Sequence, residues 1–373
     1  MVVSIVGWYG TETCGDRAIL DGILSVLGEI EENAIVQLGS LFPFYSKRTL
    51  LEEENVLKKT APQIRIDIFD IKDKAVLNDS IRRSDLLIMG GGPLMDLEEL
   101  YLIERAFKLS KRKGIPSVVM GCGIGPLKEK KYISLVKKIL ENSTKISLRD
   151  KKSAQTLERL WPEQFVYECL GDPAIISVEN YMEISHREKK NYLAVNFRDF
   201  PGEQYGDNSS VSIVDIRTML NDVAPKYEKI YLVPMHTFHV GNDDRTFLTK
   251  IQSEQCAENI EVLHKPLNLH ELYEVYENAK GCIGMRYHSV VMQTLLNGNN
   301  LIFDYTDPNT GKIAGFLDII GCEEFYEDRK ICLKDCANKD LRKTAKILCD
   351  EKNYSYQKSE MKSKYVKLLE SIR

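Results

Sequence analysis

Short apolar runs recur along the chain, each closed by glycine or a charged turn and followed by an amphipathic stretch. "VVSIV" at 2–6 passes through a glycine-rich turn into "DRAILDGILSVLGEI". "DLLIMGGG" at 85–92 and "SVVMGCGIG" at 117–125 end in the same way, and "KISLRD" at 145–150 opens onto "KKSAQTLERL". Apolar runs of this length, bounded by turn residues, predict buried strands. Their alternation with helical patterns predicts a parallel α/β sheet. Glycine turns then fall at the carboxyl ends of strands, where such sheets bind ligands.

The plan restarts after "EISHREKKNY" at 183–192, which is charged and has no apolar period. "YLAVNFRDF" at 192–200, "KIYLVPMH" at 229–236, "IEVLHKPL" at 260–267, "GCIGMRYH" at 281–288 and "NLIFDYTD" at 300–307 are the second set of strands. The expected architecture is α/β, with two doubly wound, Rossmann-like domains facing each other across a cleft. Residues 1–182 form the first domain and 183–337 the second. The highly charged stretch 338–373 reads as helical, and packing back on the first domain is one place for it.

With 373 residues, the chain is long enough for two cores. A hydrophobic fraction of 43% and a charged fraction of 28% are those of an ordinary globular protein. The net charge of −4, with no basic half, gives nucleic acid no support as a partner. Nine cysteines without a C-x-x-C pair suit a reduced, cytoplasmic protein and make no zinc site. The opening "MVVSIVGWYG" has no basic leader, and no run approaches the ~18 apolar residues needed to cross a bilayer. The basic run "KEKKYISLVKK" at 128–138 could touch anionic lipid at the inner face of a membrane, although a solvated helix face is the plainer reading.

Four places carry candidate chemistry. "GWYGTETCGDRAIL" puts Gly7, Gly10 and Gly15 before Asp16, which either meets a ligand hydroxyl or caps the first helix. The spacing is not G-x-G-x-x-G, so no dinucleotide fingerprint is present. "GGGPLMD" offers Gly91 and Gly92, and "GCGIGPL" offers Gly123 and Gly125, as amides that either face a ligand or relieve crowding; Pro126 suits a helix's first turn. Arg149 in "SLRD" and Arg198 in "NFRD" end strands, and each can point to a ligand or pair with its neighbouring aspartate. Asp172 in "GDPAI" reads as a turn residue before a strand.

The fourth place is sharper. "GCIGMRYHSVVMQTLLNG" sets Arg286, Tyr287 and His288 between a buried strand and an apolar helix. A helix N-terminus carries roughly +0.5 charge, and arginine adds a fixed positive charge, so an anion is favoured there. Arg286 can grip a carboxylate or phosphate with two parallel bonds. His288 beside it suits proton transfer. His236 and His239 end another strand and could reach the cleft, whereas His186, His264 and His270 read as structural. No strand ends in D-x-D, so no metal is implied, and no serine-hydrolase elbow or triphosphatase loop is present.

In order along the chain, "GWYGTETCGDRAIL", "GGG", "GCGIGP", "SLRD", "GDPA", "NFR", "MRYHS" and "DYTDPNTGKIAGFL" resemble the polysaccharide pyruvyl transferase family. The resemblance implies a GT-B-like fold and transfer of the pyruvyl group of phosphoenolpyruvate to two hydroxyls of a sugar, giving a cyclic ketal. The acceptor would be a cell-surface glycan or its precursor, free or lipid-linked, and no cofactor is implied beyond the donor itself. Arg286 and His288 match the family's R-x-H at the donor, Arg198 matches an arginine of the second domain, and Asp16 matches the aspartate of the first turn. Thr13 stands where the family often has Asn, and Arg17 where it often has Glu. Lys312 is the candidate donor lysine, after a longer segment from Tyr305 than is usual.

Phosphoenolpyruvate brings a carboxylate and a phosphate, close to three negative charges in all. Two arginines and a helix N-terminus would offset them, while His288 would protonate C3 and Asp16 would position the acceptor diol. A GT-B glycosyltransferase using a nucleotide-sugar shares this architecture and is the competing expectation, with a non-catalytic glycan-binding protein behind it.

Overall fold

The computed structural model describes the whole chain apart from residues 12, 91, 200–211, 241, 253–255, 307–310, 334–340, 342–344, 350 and 351. Contacts divide it into two compact units, Met1–Asn180 with Ser359–Arg373, and Tyr181–Lys358.

In the first unit the strands are β1 (Val2–Val6), β2 (Ile35–Ser40), β3 (Arg65–Asp70), β4 (Leu86–Met89), β5 (Ser117–Cys122), β6 (Lys145–Leu148) and β7 (Glu168–Cys169). They form one parallel sheet in the order β3-β2-β1-β4-β5-β6-β7. Helices α1 (Cys14–Ile30), α2 (Pro43–Glu52), α3 (Glu54–Thr60), α4 (Lys74–Arg82), α5 (Leu100–Lys113), α6 (Lys130–Glu141), α7 (Lys151–Leu160) and α8 (Ala174–Met182) connect them. The central strands β1, β4 and β5 are buried on both faces, which is why they read as unbroken apolar runs. By contrast β3, "RIDIFD", lies at the sheet edge with alternating exposure, and its polar pattern hides it among the turns.

The second unit repeats the plan. Strands β8 (Lys190–Val195), β9 (Lys229–Leu232), β10 (Ile260–Val262), β11 (Ala279–Gly284), β12 (Asn300–Asp304) and β13 (Lys330–Cys332) form a parallel sheet in the order β10-β9-β8-β11-β12-β13. Its helices are α9 (Ile213–Val223), α10 (Asp244–Ile251), α11 (Leu269–Asn278), α12 (Tyr287–Leu296) and α13 (Lys312–Ile319). Its core gathers Leu193, Val195, Leu232, Ile283, Leu301 and Phe303 from the sheet against Met219, Leu220 and Leu248. In each sheet the strand order reverses once, between β1 and β4 and again between β8 and β11. At that reversal the two connections leave in opposite directions and open a crevice beyond the strand ends.

The charged stretch 338–373 is shared between the units. Residues up to 358 belong to the second, while Ser359–Arg373, with helix α14 (Met361–Glu370), belong to the first. Tyr365 of α14 is buried there and donates from its hydroxyl to the Gly171 carbonyl at 2.6 Å. On α6 the apolar residues Tyr132, Val136, Ile139 and Leu140 face the core, and Lys130, Lys131, Ser134, Lys138 and Glu141 are left outward. Among the described residues no helix is long and apolar enough to cross a membrane.

Candidate functional site

At the reversal point of the first sheet, the turns after β1 and β4 press directly on each other. A Cβ on Gly7 would lie 2.1 Å from the Gly90 carbonyl oxygen, so the glycines there are needed for close approach. Gly92, with a φ of +70°, sits against Trp8, and a Cβ on it would come within 3.8 Å of the Asp16 carboxylate. Gly91 lies outside the described residues. Thr13, not Asp16, is the N-cap of α1: its hydroxyl oxygen accepts the Asp16 amide at 3.2 Å and donates back to the Asp16 carboxylate. Asp16 therefore lies within the first turn of the helix, on the wall of an open pocket lined by Trp8, Tyr9, Thr13, Thr49 and Leu50. The Tyr9 hydroxyl is buried and has no partner among the described residues. Burial, reinforced by Asp16, pushes that phenol well above its ordinary value, so it stays a neutral donor.

Arg149 is taken by internal pairing. Its Nε lies 3.1 Å from Asp150 and Nη1 3.8 Å from Asp172, and all three side chains are buried. Gly123 makes room for it, since a Cβ there would lie 2.3 Å from Nη2. Asp172 precedes a helix rather than a strand, accepting the Ala174 amide of α8 at 3.0 Å. Gly125 does not present a free amide either; it donates to the Leu94 carbonyl at 2.8 Å. Pro126 follows a cis peptide, and α6 starts only at Lys130.

The second sheet brings more together. Asn196, fully buried just beyond β8, accepts the Arg286 amide at 3.1 Å and the Ser289 hydroxyl at 3.0 Å, and donates to the Val233 carbonyl at 2.9 Å. One side chain thus locks the start of α12 to the neighbouring strand end across the reversal point. Arg286 is the N-cap residue of α12, and its guanidinium is held side-on by Asp244, with Nε 2.7 Å and Nη2 2.6 Å from the carboxylate oxygens. Asp244 itself is 1% exposed and also accepts the amides of Met235 and His236. Asp244 offsets part of the fixed positive charge that the sequence placed here and fixes the fork's direction.

Two further cations converge there. Arg198 lies with Cζ 5.7 Å from the Tyr305 ring centroid, and Lys312, the first residue of α13, lies with Nζ 5.1 Å from the same ring. Arg198 donates from Nε to the main-chain carbonyl of Asp199, not to its carboxylate. Burial first, and Arg286 next, lower the Arg198 pKa, so two like charges meet in a poorly solvated place. Burial alone would push the Tyr305 phenol up, but Lys312, Arg198 and Arg286 outweigh it and hold the phenol below its ordinary value. Such a cluster is stabilised by any anion that enters it.

Tyr287 is buried, its ring packed edge-on against His288 at 4.8 Å and Phe316 at 6.2 Å, so it supports rather than lines the place. His288 is half-buried on the first turn of α12. His236 is 3% exposed, with Nε2 2.6 Å from the Val240 carbonyl oxygen. Burial and then Arg286 pull its pKa down to about 4. Among the described residues no three His, Cys, Asp or Glu side chains are grouped to hold a metal. Asn196, Asp244 and Tyr305 are the residues that the sequence reading missed. Asn196 and Tyr305 lay inside the quoted motifs "NFR" and "DYTDPNTGKIAGFL" without being singled out, whereas Asp244 lies in "GNDDRTF", where nothing local marks it.

Residues 14–307 match the family model described as polysaccharide pyruvyl transferase. No curated protein matches the chain. Among solved structures it is similar to the UDP-GlcNAc 2-epimerase of Methanocaldococcus jannaschii, at 12% identity and a TM-score of 0.62, with 100% of each chain covered. The UDP-GlcNAc 2-epimerase of Neisseria meningitidis bound to UDP-GlcNAc gives 11%, 0.61 and 99% of each chain. That of Rickettsia bellii gives 11% and 0.56, covering 100% of this chain and 96% of the other. At these identities the likeness shows a shared fold, two parallel-sheet α/β domains of the GT-B-like class.

Proposed function

Because the chain belongs to the polysaccharide pyruvyl transferase family, we propose that it moves the pyruvyl group of phosphoenolpyruvate onto two hydroxyls of a sugar, forming a cyclic ketal and releasing phosphate. The acceptor is a surface glycan or its precursor. The observation that carries the reading is the convergence of Arg198, Arg286 and Lys312 at the carboxyl edge of the second sheet, beside the N-terminus of α12. A donor with close to three negative charges is the kind of ligand that such a cluster favours.

The enol phosphate of phosphoenolpyruvate resists attack at C2 until C3 gains a proton, so a general acid is required. His288, two residues from Arg286 on the first turn of α12, takes that role. Arg286, held in one orientation by Asp244, supplies directed donors; Arg198 and Lys312 supply the net charge. Asp16 of the first unit is assigned to the acceptor, where its carboxylate orients a hydroxyl.

The test is thermal stability of the protein and of Arg286→Ala against phosphoenolpyruvate, UDP, CMP, GDP and NADH. A ligand at 100 times its Kd stabilises by about 2.7 kcal/mol. Stabilisation by phosphoenolpyruvate, lost in the variant, supports pyruvyl transfer. Stabilisation by one nucleotide alone would overturn it in favour of a nucleotide-sugar enzyme.

A further inference from the structure

Tyr305 is the first residue beyond β12, and its ring is buried among the apolar side chains of the second core. Arg198 reaches that ring from just beyond β8, with Cζ 5.7 Å from the centroid. Lys312 reaches it from the start of α13, with Nζ at 5.1 Å. Both cations also hydrogen-bond the phenolic oxygen, which accepts from each because an ammonium and a guanidinium can only donate. One buried atom thus ties together two half-buried charges carried by separate elements. Cations that meet on one ring repel, and an acceptor shared between them offsets the repulsion.

We propose that Tyr305 is the positioning residue of the donor site, its hydroxyl oxygen holding Arg198 and Lys312 together for the donor anion as Asp244 holds Arg286. The proposal rests on the pyruvyl-transfer reading above. It places no atom of Tyr305 on the donor. The phenol acts through the two cations.

A phenol in this role brings a pH dependence of its own. The charged groups that face it are Lys312 of α13, Arg198 beyond β8 and Arg286 at the start of α12, and together they hold its pKa below 10. Asp304, its neighbour on β12, is turned to Thr306, accepting the amide at 2.8 Å and the hydroxyl at 2.6 Å. As a neutral phenol, Tyr305 aligns the cations and leaves their charge to the donor. As a phenolate, it neutralises them in the donor's place. An entering anion cancels the positive field that favoured ionisation, so the phenolate takes up a proton from solvent. The complex then binds more protons than the empty site, and donor affinity falls as pH rises through the phenol's value in the empty site.

The experiment is calorimetric titration of the full chain and of Tyr305→Phe with phosphoenolpyruvate, which needs no acceptor. Phenylalanine keeps the buried ring and removes only the oxygen. At pH 7 the variant should bind at least about tenfold more weakly, the loss expected for hydrogen bonds to charged groups. Between pH 7 and pH 9.5 the affinity of the natural chain should fall while that of the variant stays nearly level, so the two curves converge. Over the same range, buffers of different ionisation heat should show proton uptake in the natural chain alone. Tyrosinate absorbance gives a reading that needs no variant: at pH 9.5, phosphoenolpyruvate should remove part of it from the natural chain. Parallel affinity curves, or a tyrosinate signal that bound phosphoenolpyruvate leaves unchanged, would overturn the role of Tyr305 and leave pyruvyl transfer standing. Absence of any phosphoenolpyruvate binding would overturn both.

Discussion

Asp244 holds Arg286 by two edges of one carboxylate, Nε at 2.7 Å and Nη2 at 2.6 Å, and the side chains are 1% and 15% exposed. Removing the acid leaves a largely buried guanidinium without its counter-charge, the costly half of a buried pair. Asp244→Asn should therefore lose about 3 kcal/mol of stability by urea denaturation. Added phosphoenolpyruvate should return part of it by supplying negative charge. A variant as stable as the parent would show that solvent already screens the pair.

Gly123→Ala tests the packing around Arg149. The new methyl would lie 2.3 Å from Nη2 and 2.8 Å from Cζ, against a guanidinium already fixed by buried carboxylates. Overpacking of this kind costs roughly 1–3 kcal/mol, and denaturation of the variant should fall in that range.

His236 makes acid stability steeper. Its pKa falls from 6.5 to about 4 on folding, so between those values the unfolded chain binds a proton that the folded chain refuses. Stability should thus drop as pH falls from 6.5 to 4, by up to about 3 kcal/mol from this group, and level off below. In His236→Gln that acid limb should be shallower. Equal slopes for the two proteins would mean that the ring titrates normally.

Asp16→Asn should separate the two substrates. Asp16 stands in the first unit and the cation cluster in the second, so turnover should fall while the phosphoenolpyruvate-induced melting shift is retained. Loss of that shift would move Asp16 to the donor.

How much of this was legible depended on how far apart the cooperating residues lie. Both sheets announced themselves, because β4, β5 and β11 are buried on both faces and end in glycine or a charged turn. Arg198, Arg286 and His288 could be placed at strand ends for the same reason. What the motif "MRYH" could not convey is that Arg286 reaches 42 residues back to Asp244, a pairing with no local pattern. Arg149 shows the converse. Its neighbour Asp150 was visible as a partner, but Asp172 and the space left by Gly123 appear only when β5, β6 and the start of α8 are side by side. Tyr305 was in view as a letter, yet its character comes from Lys312, at the far end of the same connection, and from Arg198, which arrives from beyond β8.

The return of α14 to the first unit carries a consequence for biosynthesis. Gly171 has a φ of +103° and lies under Met361, and the hydroxyl of Tyr365 closes on its carbonyl, so this corner has no lid until residues 359–373 leave the ribosome. At 5–20 residues per second the intervening stretch 181–358 takes on the order of 10–40 s to emerge. Through that interval the nascent first unit lacks the cover that Met361, Tyr365, Leu368 and Leu369 give it, and the second unit can fold before the first is finished.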